Sequence, residues 1–180
     1  MGGVAVSTSR DHKRVVFGTW DGASVWDADL RDKVIHVEVG NDVRALDVSP
    51  DSTRFVTGTA RSGASVWSIS SGERLVDPLE HDSYVTGIRF SPNGKYIATA
   101  CSGGSVRVFE SRTGDRLITI DVVTPWQHPA TPLAWSDDGQ QILVSHLMTT
   151  QSSLLIFPPG PSWPNRRSSM TVTATPGPSL

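Results

Sequence analysis

Ala23-Ser24-Val25-Trp26, Ala64-Ser65-Val66-Trp67 and Ser105-Val106-Arg107-Val108-Phe109 are three versions of one short phrase, a small or β-branched run closed by an aromatic. Trp26 and Trp67 stand 41 residues apart, and Trp67 and Phe109 stand 42 apart. Recurrence at a fixed period of this size marks a repeat architecture, in which each unit buries its apolar face only against its neighbours.

Two further features keep the same period. A turn follows an alternating run at Ser49-Pro50-Asp51, at Ser91-Pro92-Asn93-Gly94 and at Ser136-Asp137-Asp138-Gly139. Pro presets φ, while Asn and Gly accept the left-handed conformations such turns need. Behind the turn lies a strand-like run that starts polar and ends on small residues: 14–19, 54–59, 95–100 and 141–146. Each unit therefore reads as four short strands, here written a to d, without room for a helix. In the third unit they fall at Tyr84–Phe90, Tyr96–Ala100, Val106–Phe109 and Leu117–Ile120. Strands joined by two to four residues are antiparallel neighbours, because a parallel crossover needs a dozen residues or more. A four-stranded meander of this kind is one blade of a β-propeller.

The combination of a Ser-Pro-Asp/Asn turn, a strand ending on small residues and a Val-x-Val-aromatic strand resembles the WD repeat β-propeller family, over roughly residues 4–157. The resemblance implies an all-β fold of about three and a half blades, at about 4–40, 41–80, 81–121 and 122–157, which do not close a ring on their own. It also implies a structural network in which a His before strand a, a Ser/Thr of strand b, the Trp of strand c and an Asp of the b–c loop bond to one another. The third unit supplies His81 and Thr99 but has Gly103 at the Asp position and Phe109 for the Trp. The second supplies Trp67 and Thr57 but has Val39 and Arg61 at the His and Asp positions, and the first supplies Trp26-Asp27 with Asp21 in a shorter loop. No unit holds the whole network.

A blade is covered only by its neighbours, so a short array has two faces to account for. Three arrangements answer this: a piece of a longer array, a dimer that completes a seven- or eight-blade ring, or a free-standing half ring. Residues 158–180 hold six of the twelve prolines with many Ser and Thr, and this composition is expected to stay disordered. The connection 122–129 is longer than the earlier d–a connections and suits a bulge or binding loop.

Composition narrows function mainly by exclusion. A net charge of −2 with 19% charged residues suits neither non-specific nucleic-acid binding nor an acidic disordered chain. No apolar run approaches a membrane span, the Met-Gly-Gly-Val start lacks a secretory signal, and Cys101 has no second cysteine to pair with, so an intracellular setting is expected. Histidines 12, 36, 81, 128 and 146 never fall at a metal-ligand spacing, and no metal or cofactor is expected. Cys101 with His81 or His128 lacks an orienting third group and reads as a buried structural thiol. Ser102-Gly103-Gly104-Ser105 lies between strands, which excludes a phosphate cradle. Arg166-Arg167-Ser168-Ser169 matches a basophilic kinase site in a flexible segment.

The remaining candidates are Trp20 and Arg61 in b–c loops, Asp42 and Arg44 where a d–a loop enters strand a, and Tyr84 just before the next strand a. By the resemblance these loops share one rim, and Trp, Tyr and Arg are the residue types that dominate interface energetics. The expected function is a protein-interaction scaffold with protein partners, self-association among them, and no catalysis. The alternatives are an enzyme-associated propeller of the TolB or peptidase-gating type and a truncated product without a function of its own. The Trp26-Asp27 dipeptide closing strand c favours the first.

Overall fold

The computed structural model describes residues 5–61, 63–121, 133–145, 152–156 and 173–174. Every regular element among them is a strand. Blade 1 is the antiparallel sheet β1 (Ala5–Thr8), β2 (Arg14–Gly18), β3 (Gly22–Asp27) and β4 (Lys33–Glu38). Blade 2 contains β5 (Val43–Val48), β6 (Arg54–Thr59) and β7 (Ala64–Ser68). Blade 3 runs β8 (Val85–Phe90), β9 (Tyr96–Cys101), β10 (Ser105–Glu110) and β11 (Arg116–Asp121). Blade 4 runs β12 (Leu133–Trp135), β13 (Gln141–Ser145), β14 (Ser152–Ile156) and β15 (Thr173–Ala174). The strands expected in the third unit fall within a residue of β8 to β11.

Two departures from the expected pattern have physical causes. Blade 2 has no continuous strand d: the chain touches β7 only through the bridges Trp67–Arg74 and Ala64–Leu79. The two bridges are three residues apart on β7 and five apart on the other segment, so the chain bulges between Arg74 and Leu79 and loses the ladder there. Blade 4 takes its fourth strand from the segment expected to be disordered, since Thr173 and Ala174 pair with Leu154 and Ser153. The rest of 158–180, with Arg166 to Ser169, lies outside the described residues, as does the 122–129 connection.

All four a–b turns are built alike. The Ser9, Ser49, Ser91 and Ser136 hydroxyls donate to Asp11, Asp51, Asn93 and Asp138 at 2.5–2.8 Å. The same hydroxyl oxygens accept the backbone N–H of Arg14, Arg54, Tyr96 and Gln141 at 2.9–3.0 Å. Ser9-Arg10-Asp11 belongs to this set although it carries neither Pro nor Gly. Left-handed backbone falls on the residue after the Asp/Asn: Gly94 (φ 68°) and Gly139 (φ 69°), but also Ser52 (φ 59°) and His12 (φ 58°). Asn93 thus works through its side chain, not through its φ.

Blades stack face to face, and each has a leading face toward the preceding blade and a trailing face toward the next. Phe55 and Trp67 on the leading face of blade 2 pack with Val16 and Val25 of blade 1. Ile88, Ile97 and Phe109 of blade 3 pack with Val56 and Val66 of blade 2. Leu133, Ile142 and Val144 of blade 4 pack with Ala98 and Val108 of blade 3. Full burial of each large side chain contributes about 1.5–3 kcal/mol, so these three seams hold the fold. Two glycines set the approach at the seams: a Cβ on Gly18 would lie 2.6 Å from Val43 Cγ1, and one on Gly58 the same distance from Val85 Cγ1. Arg54 fastens blade 2 to blade 3 from below, donating to Ser111 O (3.2 Å) and Gly94 O (3.2 Å) with its guanidinium over the Phe90 ring.

Candidate protein-binding rim

Strands a begin and strands b end at one edge of the stack, so the b–c and d–a loops share that edge. Backbone bonds tie them together. Val43 N donates to Thr19 O (2.9 Å) across the first seam, Ala60 N to Asp42 O (3.2 Å), and Ser102 N to Tyr84 O (2.8 Å). Val39 N and Gly40 N both donate to Asp21 O, at 3.1 and 3.2 Å. Gly103 N donates to Ser83 Oγ at 3.0 Å. Loops held at both ends in this way present their side chains with little freedom left to lose.

Trp20 stands 76% exposed and Tyr84 52% exposed, while Arg61 and Arg44 are also on the surface. Arg44 pairs with Asp42 at 3.1 Å, so these two candidates engage each other. Trp20, Asp42, Arg44 and Arg61 gather over blades 1 and 2, and Tyr84 stands at the head of blade 3. Below the rim a cleft of about 360 Å³ runs among the four a strands, with Arg44, Leu46, Ile88, Arg89 and Leu133 on its walls.

The structural network is split between blades. In blade 3 His81 Nδ1 lies 2.7 Å from Leu79 O, which makes Nδ1 the protonated nitrogen, and Nε2 accepts the Thr99 hydroxyl at 2.9 Å. Burial pushes the His81 pKa down to about 4, with the Arg107 charge adding to the effect, so the ring is neutral at pH 7. In blade 2 no His is present and Trp67 Nε1 donates to Thr57 Oγ1 at 3.0 Å. One buried strand-b hydroxyl is thus satisfied from the loop and the other from strand c. Blade 1 has Phe17 and blade 4 has Val144 at that position, so neither has a hydroxyl to satisfy. Trp26 is half-buried, and Asp27 accepts the N–H of Arg31 (3.0 Å) in the c–d turn instead of joining a network.

Sequence reading missed Arg107. It replaces the Ser24 and Ser65 of the other strands c, is 3% exposed, donates to Glu80 O at 2.6 Å and pairs with Asp82. The carboxylate that the b–c loop lacks at Gly103 is supplied here from the d–a loop. The substituted Ser in the third phrase was the only signal, and it gives no hint of a partner 25 residues upstream. Cys101 is fully buried, and burial raises its thiol pKa, the opposite of what a nucleophile needs. Among the described residues no His, Cys, Asp and Glu gather in a group able to hold a metal ion, and no helix is long and apolar enough to cross a membrane.

Known proteins place these repeats. A family described as the Anaphase-promoting complex subunit 4 WD40 domain matches residues 59–138. Protein HIR1 of Eremothecium gossypii is 37% identical over 112 residues, covering 58% of this chain and 14% of that protein. The small ribosomal subunit protein RACK1 of Drosophila melanogaster is 28% identical over 152 residues, covering 79% of this chain and 47% of that one. These are WD repeats. The chain spans less than half the length of the curated relatives it matches. In solved structures the WD-repeat stack resembles the computationally designed Ika4 protein, with a TM-score of 0.71 at 22% identity over 88% of this chain and 93% of that one. Kuenenia stuttgartiensis hydrazine synthase gives 0.69 at 19% identity, over 84% and 44%. Both likenesses are of fold alone.

Proposed function

We propose that this WD-repeat chain is a protein-interaction scaffold that holds partner peptides or domains on its d–a and b–c rim and performs no chemistry itself. One observation carries the reading: Trp20 and Tyr84 stand exposed on loops that inter-loop backbone bonds hold rigid. A rigid aromatic supplies contact area at small entropic cost, and Arg61 and Arg44 add charged anchors of the type that dominates interfaces. His81, Thr99, Trp26, Asp27 and Trp67 serve the fold and not the partner. The relatives support the class, and the RACK1 proteins, described as small ribosomal subunit proteins, support an intracellular setting. The net charge of −2 argues for protein partners and against nucleic acid. The four blades form part of a larger ring, completed by further blades of a longer array or by self-association.

The test is capture of proteins from cell extract by the immobilised chain, set against the variant carrying Arg61→Ala and Tyr84→Ala. The variant is expected to lose the captured set with its circular dichroism intact. Unchanged capture, or a hydrolytic activity that disappears on Cys101→Ala, overturns the scaffold reading.

A further inference from the structure

Two positions before its aromatic, strand c of each of the first three blades carries a polar residue on its leading face: Ser24, Ser65 and Arg107. Two of the three are answered within the chain. Ser24 Oγ lies 3.0 Å from His36 Nδ1 on β4. Arg107 crosses the seam between blades 2 and 3 to the loop that enters blade 3, where it donates to Glu80 O at 2.6 Å and pairs with Asp82. Ser65 is 8% exposed, and its hydroxyl has no hydrogen-bond partner among the described residues. It lines a cavity of about 130 Å³ in the seam between blades 1 and 2, together with Glu38, Val39, Thr59, Trp67 and Arg74. Pro78 completes the wall and has no side-chain donor or acceptor to give.

Position by position, these walls repeat the surroundings of Arg107 in the next seam. Glu38 stands for Glu80, Val39 for His81, Thr59 for Cys101, Trp67 for Phe109 and Arg74 for Arg116. Ser65 in place of Arg107 and Val39 in place of His81 leave the room, so the cavity lies where the Arg107 side chain runs one seam later. We propose that it takes the guanidinium of an arginine side chain from a partner protein, which fills from outside the place that Arg107 fills from within. The Ser65 hydroxyl is an acceptor for such a group, and the Glu38 carboxylate, in no ion pair among the described residues, is its counter-charge. Arg74 does not bar a second cation. Its equivalent Arg116 shares a seam with Arg107, both near enough to His81 for their charges to act on it, and Arg74 itself lies over the Trp67 ring at 6.0 Å. A guanidinium suits a cleft between two blades better than an ammonium does, because it is flat, weakly hydrated and carries five donors in a fixed fork. The proposal rests on the reading of the chain as a scaffold for protein partners and names a side chain that the partner brings.

Titration of the whole chain with N-acetyl-arginine amide, followed by two-dimensional proton–nitrogen NMR, tests it. The reporter is the indole N–H of Trp67, whose ring lines the cavity and whose cross-peak is the one missing from Trp67→Phe. Because this probe needs no partner protein and capture from extract plays no part, a failure here and a failure of the rim reading are told apart. A saturable shift in the millimolar range is expected, and N-acetyl-citrulline amide, the same shape without the charge, is expected to give none. Glu38→Gln, a surface substitution, should weaken binding about tenfold by removing the counter-charge. Ser65→Arg should fill the cavity from within and abolish the shift. No saturable shift up to about 50 mM overturns the proposal, since a fitted guanidinium site binds more tightly than that. So does an equal response to the citrulline probe, or a folded Ser65→Arg chain that still responds. Should Ser65→Arg fail to fold, undiminished binding by Glu38→Gln overturns it on its own. Acetate moving the same cross-peak as strongly would make this an anion site of Arg74, and overturns it equally.

Discussion

Trp67→Phe isolates the polar half of a buried aromatic. Trp67 is 9% exposed, stacks on Phe55 at 6.4 Å between centroids, and gives its ring N–H to Thr57, which is fully buried. Phe keeps most of the ring's packing and removes the donor. The orphaned hydroxyl costs about 1–3 kcal/mol, and the smaller ring adds about 1 kcal/mol of lost burial. The sum of about 3 kcal/mol corresponds to a melting temperature lower by about 6–12 °C for a chain of this size. Thr57→Val in the Trp67→Phe background removes the orphan while keeping the volume, and about 1–2 kcal/mol should return, because replacing both partners by apolar groups is nearly neutral. Urea unfolding with a common m value measures all four members of the cycle. If Thr57→Val instead destabilises the Phe variant further, the hydroxyl was not being satisfied by Trp67 and the account of the split network fails.

His81 makes stability depend on pH. Its folded pKa of about 4 lies below the 6.5 of an unperturbed histidine, so between those values the unfolded chain binds the proton and the folded chain does not. Stability should fall by about 2 kcal/mol from pH 7 to pH 5, and His81→Gln should flatten that slope. Burial holds Asp47 above the usual carboxylate range, which acts in the opposite sense, so the difference between wild type and variant is the quantity to read from denaturant titrations. Gly58→Ala places a Cβ against Val85 and should cost about 1–3 kcal/mol, with part recovered by Val85→Ala in the same chain. Equal stability of Gly58→Ala and wild type in thermal melts would mean that the seam between blades 2 and 3 is looser than the structure has it.

The fold was legible because its signals are local. A turn hydroxyl, an alternating run and an aromatic at fixed spacing define a blade without knowledge of any other, and the buried Trp67 and Phe109 follow from the alternation. What escaped depends on pairings that the local pattern does not fix. Strand d of blade 2 is interrupted by a register shift between its two bridges to β7, though its residues alternate acceptably. The Arg107–Asp82 pair joins residues whose relation appears only once two loops meet. Thr173–Ala174 pairs with β14 across a segment whose composition pointed to disorder. The rim residues were found by their loop positions, but their exposure was not in the sequence: Trp20 could equally have packed under a neighbour.

The two edges of the stack vary to different degrees among the repeats, and the reason is physical. At the a–b edge the turn folds back tightly, its Ser hydroxyl and Asp or Asn side-chain oxygen take up N–H groups of the turn and of the strand that follows, and the same clamp recurs four times. At the opposite edge the buried polar demands differ from blade to blade: a strand-b hydroxyl is met by a loop His in blade 3 and by a strand-c Trp in blade 2, it vanishes where Phe17 or Val144 stands instead, and Arg107 adds a demand of its own in blade 3. The bonds that hold the b–c loops are made mainly by backbone atoms, so their side chains are under no common constraint, and the loops hold Trp20 in one blade, Arg61 in the next and Gly103 in the third. Side chains released from holding the fold are those able to differ from blade to blade, and an edge whose loop tips differ can distinguish one partner from another. That is the physical argument for seeking the partner of this chain at the d–a and b–c rim and not at the uniform edge beneath it.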